Sequence, residues 1–421
     1  MTEVTVAVLV TLDSKGGEAQ FVCDALTGAG VTPWLVDVSL RPHEVAGADI
    51  TGGELAEAGG SSWDGLAALD RNRAAEIMVA GGAAILRARH RAGEFAGVIG
   101  LGGANGTSMA CSMMRALPHL VPKVMVSAVA ATAAVQWYVA ESDIAMFPSI
   151  GDFTLNRITR GVLENAANAV AAMALARAAR GQKTADEPPL IGISSFGGTA
   201  GCVDRVTEQL LGMGYEVIHF HASGPGGKAL ESLAAQGELA GVVDITTHEL
   251  TDLLVDGVYS AGESRLTSAS AAGLPQVIVP GAIDHSNFWI GMVPEKFADR
   301  EFFQYNAQNL LMRTNAEECA ALGRLFAERL NQSTGDFTVV IPKRGYSEHT
   351  KRRTHNLAGE DVGAWDKPDV DATFAAVLRE HLVKGRIKEL DLHINDAEFA
   401  DVCLHSFLRL MKPWRGPRHI I

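Results

Sequence analysis

A chain of 421 residues, 47% hydrophobic and 20% charged, is too long for one ordinary core and too apolar for disorder, so two domains are expected. Its net charge of −13, with Lys351–Arg353 as the one basic run, excludes a basic nucleic-acid-binding face. The five cysteines are scattered with no CxxC spacing, which excludes a disulfide framework and a zinc ribbon.

The N-terminus enters a strand directly, Val4–Val10, without a basic or apolar leader, and no apolar run reaches the ~18 residues of a membrane span. A soluble, cytoplasmic protein with no membrane partner is expected. The polar turn Thr11–Glu18 then opens a helix that runs through Ala29. Asp13 and Ser14 suit the cap, and Glu18 sits in the first turn, where an acid is favoured. Asp13, Lys15 and Glu18 also bring mixed charge to a strand's carboxyl end, where open α/β sheets place ligands, so they are candidate substrate-binding residues.

Thr32–Val38 is the second strand, and the glycine-rich Ile50–Trp63 is expected to be a loop able to cover a cleft. Arg71–Arg91 is a helix and Phe95–Leu101 a strand. The turn Gly102–Ser108 leads into a helix over Met109–Leu117, and Gly103, Gly106, Thr107 and Ser108 offer N–H and hydroxyl donors to a substrate anion. Val121–Ser127 and Asp143–Phe147 complete the strands of this half. The alanine-rich Thr154–Arg180 is a long helix suited to packing or to an interface.

Residues 181–189, polar and ending in two prolines, form a linker. It separates an N-terminal domain (1–180) from a C-terminal one (190–421). The second half opens on Leu190–Ser195, an apolar run suited to a buried parallel strand. The turn Phe196–Gly201, a helix over Cys202–Met213, the strand Tyr215–His221 and a second turn, Ala222–Gly227, follow before a helix near Lys228. Each turn feeds a helix N-terminus, and glycines let backbone amides close on an anion. Glycine also suits any strand-to-helix turn, and neither loop is a P-loop or a G-x-G-x-x-G fingerprint.

Further on, Ala240–Thr246 is a strand that exits through Thr246–Glu249, and Val255–Leu266 is a glycine-rich loop with Arg265 as an anion fork. Gln276–Val279 is a strand whose exit carries Asp284 and His285. Asn315–Leu330 is a helix, Phe337–Ile341 a strand with a polar exit over Pro342–His349, Asp369–His381 a helix, Ile387–Leu392 a strand, and the last helix ends at Met411. Alternating strands and helices in both halves give the fold class: α/β, with two doubly wound Rossmann-like parallel-sheet domains and a cleft between them.

The candidate catalytic residues are Asp284, His221 and Arg265, with Asp284 also the candidate metal ligand. Phe196, Gly197, Gly198, Thr199, Ser223, Gly224, Gly226, Gly227, Lys228, Gly262 and Gly281 form a candidate nucleotide cradle. His393 and His405 read as satisfied structural groups. No H-E-x-x-H and no G-x-S-x-G occurs.

The segments TLDSKGGE, GLGGANGTS, SDIAMFPSIGDFTLNRI, ISSFGGTAG, HASGPGGKALE, VDITTHEL, SAGESRLTSA, PQVIVPGAIDHSNF and DLHIND occur in one order over roughly residues 4 to 400. In this the chain resembles a bacterial, fungal and plant family of ATP-binding proteins that includes a tomato protein conferring resistance to tomato mosaic virus. The resemblance implies two Rossmann-like domains, ATP binding and a homodimer. With the residues above, it gives the expectation of an ATP-dependent enzyme, assisted by Mg2+, acting on a small acidic metabolite in the cleft. An ATP-responsive regulatory protein without turnover, and a lyase or hydrolase that uses the glycine loops for its own anionic substrate, are the alternatives.

Overall fold

The computed structural model describes residues 3–43, 47–180 and 187–412. Contacts divide the chain into residues 1–183 and 184–421, here the first and second unit. Residues 181–186 of the expected linker lie outside the described residues. Among the described residues no helix is long and apolar enough to cross a membrane.

The first unit opens with β1 (Thr5–Val10), α1 (Leu12–Gly28) and β2 (Thr32–Asp37). Ala7 and Leu9 of β1 enter one apolar cluster while Val6, Val8 and Val10 enter another. A strand apolar at every position is therefore covered on both faces, as buried parallel strands are. Next come α2 (Gly52–Ala58), α3 (Trp63–Ala67) and α4 (Arg71–Arg91). The stretch expected as a loop over residues 50–63 thus holds a helix, stabilised by a reciprocal capping box between Thr51 and Glu54. Its neighbouring glycines serve helix contact: a Cβ on Gly81 of α4 would stand 1.8 Å from the Leu55 carbonyl oxygen of α2.

β3 (Gly97–Gly102) passes almost directly into α5 (Ala104–Arg115), so the glycine turn expected over residues 102–108 is mostly the first turn of that helix. β4 (Lys123–Ser127), α6 (Val135–Val139), β5 (Ala145–Pro148) and α7 (Arg157–Arg180) complete the unit. The sheet order is β2-β1-β3-β4-β5 with every pair parallel. Because β2 and β3 flank β1, the winding reverses there and leaves a crevice at the carboxyl ends of β1 and β3.

The second unit begins with β6 (Leu190–Ser195), α8 (Ala200–Gly212), β7 (Glu216–His221), α9 (Pro225–Ala235), β8 (Gly241–Thr246), α10 (Glu249–Val255) and α11 (Ser268–Ala271). β9 (Gln276–Gly281), β10 (His285–Trp289), β11 (Phe302–Gln304), β12 (Asn309–Arg313), α12 (Ala316–Leu330) and β13 (Phe337–Pro342) follow. The chain ends with β14 (Arg353–His355), β15 (Asp361–Ala364), α13 (Pro368–His381), β16 (Arg386–Leu390) and α14 (Ala397–Leu410).

Six parallel strands run in the order β16-β13-β9-β8-β6-β7. Val277 and Val279 of β9 pack with α8 and α14, and Ile278 between them packs with α12 and α13. The winding reverses between β6 and β8. A second sheet, antiparallel and ordered β10-β12-β11-β14-β15, was not expected. Its strands are three to five residues long, too short to show a period.

Candidate active site

The second glycine turn folds onto the protein's own carboxylate. Glu249, at the start of α10 and fully buried, accepts hydrogen bonds from the amides of Gly224 at 2.7 Å and Gly227 at 3.1 Å. A Cβ on Gly227 would lie 2.1 Å from Glu249 Oε2, and one on Gly226 1.9 Å from the His221 carbonyl oxygen. The absent side chains are therefore required by contacts within the protein. Burial raises the Glu249 carboxyl above its ordinary value, against the pull of Arg265. A phosphate placed here would face an occupied amide pair and a buried acid.

Arg265 is not exposed as a fork for an incoming anion. It is fully buried, its Nε 2.7 Å from Glu249, its Nη1 and Nη2 2.6 and 2.7 Å from Asp244, and Nη2 also 3.1 Å from the Thr246 carbonyl oxygen. Thr199 is buried as well, bonded to the Phe196 carbonyl and to the Thr246 hydroxyl at 2.7 Å. Gly281 lets β8 and β9 close: a Cβ there would be 2.0 Å from the Ile245 oxygen. Gly262 has a positive φ of 81° with nothing near its Cβ position, Lys228 is exposed, and the Ser223 hydroxyl reaches only the His221 carbonyl at 3.5 Å.

What the second unit gathers at its strand exits is imidazole. His248 follows β8 and caps α10; His285 follows β9 and begins β10; His349 lies in the turn after β13. Ring centroids of His248 and His285 are 5.7 Å apart, and those of His285 and His349 5.4 Å. Phe196, after β6, stacks 4.3 Å from His248 and 5.3 Å from His221. Tyr259, Phe303, Tyr305 and Trp365 close the walls. Phe196 and His248 flank the reversal between β6 and β8, where doubly wound sheets bind ligands, and His285 and His349 lie at the next two strand exits along the sheet.

Asp284 anchors this group. Its Oδ1 lies 3.1 Å from His285 Nδ1, and its Oδ2 accepts from Ser347 Oγ at 2.6 Å and from Trp365 Nε1 at 2.8 Å. Burial alone would raise the Asp284 carboxyl; the hydrogen bond with His285 and the nearby charge of Arg313 outweigh it and hold the acid below the usual carboxylate range. An ionised carboxylate only accepts, so His285 Nδ1 carries a proton, and in the neutral ring the lone pair is on Nε2. That Nε2 is buried without a partner, and so are His248 Nδ1, His248 Nε2 and His349 Nδ1.

Such orphaned atoms cost roughly 1–3 kcal/mol each, a cost a fold retains where a ligand completes the bonds. Burial lowers His248 well below its ordinary value and His349 to about 4, which favours the neutral ring of both at pH 7. Ser347 also accepts from the His349 amide at 3.2 Å, and its carbonyl lies 2.9 Å from His393 Nε2, which fits the structural role expected of His393.

Asp252 of α10 lies behind this wall, fully buried and raised by burial to about 7. It accepts from the Asn287 amide at 2.9 Å and from Asn287 Nδ2 at 3.1 Å. Three donors already meet the Asp284 carboxylate, one on Oδ1 and two on Oδ2. Among the described residues no group of three or more His, Cys, Asp or Glu is placed to hold a metal ion.

The first unit has an open cavity at its own reversal point. About 540 Å3 in volume, it is lined by Thr11, Asp13, Lys15, Arg41, Arg71, Gly103, Asn105 and Gly106, among others. The α1 end is closed from within: Leu12 N donates to Asp37 and Asp13 N to Ser39. The α5 end, with Gly103 as cap and no side-chain cap bond, opens on the cavity. Of the expected substrate residues, Asp13, Lys15, Gly103 and Gly106 line this space. Thr107 is buried, bonded to Gly102 and to Ser127 at 2.7 Å, and Glu18 and Ser108 are not among the lining residues.

Asp284 and His221 stand out in the sequence as catalytic candidates, His285 beside Asp284 at one strand exit, and Phe196 as a cradle residue; His248, His349, Ser347, Trp365 and Tyr259 do not. The signal available was positional: THE and YSEH both follow apolar strands.

Residues 4–179 match the N-terminal domain, and residues 188–411 the C-terminal domain, of an uncharacterised protein family, UPF0261. A UPF0261 protein of Clostridium tetani is 37% identical over 97% of this chain and 99% of its own, and one of Rhizobium meliloti 38% identical over 96% and 99%. The ToMV resistance protein Tm-1 of Solanum lycopersicum is 36% identical over 75% of this chain, but that stretch is only 42% of the tomato protein.

Proposed function

We propose, for a chain that belongs to the uncharacterised protein family UPF0261, that the second unit is an acid–base enzyme centred on the Asp284–His285 pair. The observation that carries this is the unpartnered Nε2 of His285, buried and oriented by an acceptor-only carboxylate. His285 Nε2 takes a proton from a substrate O–H, or from a C–H beside a carbonyl, and the electron pair stays on the substrate. The imidazolium so formed is stabilised by Asp284, itself fixed by Ser347 and Trp365. His248, neutral and buried, donates its N–H to the oxygen that gains charge, and the low-dielectric wall strengthens that bond.

The test is conversion of metabolites in a small-molecule extract by the full chain, followed by mass spectrometry. Wild type consumes a compound that His285→Gln leaves untouched. Equal conversion by both chains, or none by wild type, overturns the reading.

A second reading concerns the first unit, where the cavity favours ATP. Lys15, Arg41 and Arg71 with the α5 amides suit a polyphosphate. Its volume lies within the range of small-molecule sites. Asp13 on the same wall supplies one carboxylate of the kind Mg2+ takes beside phosphate oxygens. A bound nucleotide would supply a phosphoryl group or a conformational signal. Calorimetry of Mg-ATP should show binding by wild type and His285→Gln and its loss in Lys15→Ala/Arg71→Ala; binding that survives in that double variant overturns this placement.

A further inference from the structure

We infer that the imidazole site of the second unit takes an uncharged polyhydroxylated ligand, a sugar or polyol, and excludes phosphates and carboxylates. This rests on the acid–base reading and narrows the substrate that was expected to be acidic. In the neutral ring that a base needs, His285 Nδ1 donates to Asp284 and Nε2 is an acceptor, which an O–H or N–H satisfies. A neutral His248 carries one N–H and one lone pair, both buried without partners. The wall therefore asks for donors and acceptors side by side.

A carboxylate, or a phosphate monoester in its dianionic form, has acceptors only and would set its lone pairs against that of His285. A hydroxyl donates and accepts at once, and neighbouring hydroxyls can meet rings whose centroids are 5.4 and 5.7 Å apart. Charge points the same way. Arg265 is matched by Asp244 and Glu249, and Arg313 by Asp371 at 2.6 Å. Neither buried arginine is thus free to hold an anion, while Asp284 keeps a fixed negative charge behind His285. Arg352 stands outside, exposed and stacked 5.5 Å over the Phe303 ring. Phe196 and Tyr305, neither fully buried, stand beside His248 and His349, and aromatic rings can pack the C–H face of a sugar.

The experiment is imidazole 15N NMR on the full chain labelled at histidine. Glucose, ribose, erythritol and myo-inositol are added in turn, then inorganic phosphate and acetate at equal concentration. At least one neutral probe should shift the ring nitrogens of both His285 and His248, the anions should not, and the His248 shift should vanish in His285→Gln. Shifts of the cluster by phosphate or acetate, or none by any neutral probe, overturn the proposal. The two readings fail separately: anion shifts together with conversion lost in His285→Gln sink only the ligand class, whereas polyol shifts with conversion intact in that variant sink only the acid–base role.

Discussion

Replacing Arg265 by Met separates a structural ion network from a ligand-binding arginine. The guanidinium makes four hydrogen bonds, to Glu249, to both Asp244 oxygens and to the Thr246 carbonyl. Arg265→Met leaves Glu249, fully buried, and Asp244, 2% exposed, without their cation. Breaking a buried pair by removing one partner costs about 3–5 kcal/mol. Proton uptake gives the same scale: holding a carboxyl neutral costs about 1.4 kcal/mol per pH unit above its ordinary value, or roughly 4 kcal/mol at pH 7.

The sign follows from linkage. The folded variant keeps a proton on Glu249 that the unfolded chain releases above about pH 4.3. The variant therefore gains about 1.4 kcal/mol per unit as pH falls from 7 to 5. Urea unfolding at pH 5, 6 and 7, followed by tryptophan fluorescence, reads both effects. A loss under about 1 kcal/mol with an unchanged pH slope would refute the reasoning, because the guanidinium would then be replaceable by water and open to a ligand.

Gly227→Ala should lower the melting temperature, since the added Cβ meets Glu249 Oε2 at 2.1 Å, while Gly103→Ala, with φ −72° and open space, should melt like wild type; overpacking costs about 1–3 kcal/mol. Asp252, raised to about 7, keeps its proton where the unfolded chain has lost it, so wild type loses stability as pH rises from 4 to 7; Asp252→Asn should flatten that dependence in urea titrations. His349, lowered to about 4, refuses a proton that the unfolded chain takes up below about pH 6.5, and so costs stability as pH falls from 6.5 toward 4. Its C2–H resonance should titrate near pH 4, and a midpoint between 6 and 7 would contradict the burial argument.

The parallel strands were legible because burial on both faces makes their central positions apolar, as in VAVLV of β1 and VIV of β9. The antiparallel sheet was not, because β11 and β14 have three residues each and no period. Gly226 and Gly227 read in the sequence as glycines whose amides close on an anionic ligand. The approaching group, Glu249, lies 22 residues beyond Gly227, a distance no local spacing reveals. Arg265 looked free for the same reason, since its partners Asp244 and Glu249 lie on other elements. Asp284 could be singled out from its strand exit. That it orients His285 depends on Ser347 and Trp365, contributed by segments 63 and 81 residues away.

The tautomer of His285 decides whether Asp284 holds a base at this site. Imidazole 15N spectra of the free chain at pH 7.5, assigned with His285→Gln, should show the His285 proton on Nδ1 and a bare, pyridine-like Nε2. Asp284→Asn, which no longer offers a carboxylate to Nδ1, should move part of that population to the other tautomer. A proton found on Nε2 in wild type, or a spectrum unchanged by Asp284→Asn, would contradict a base held by Asp284.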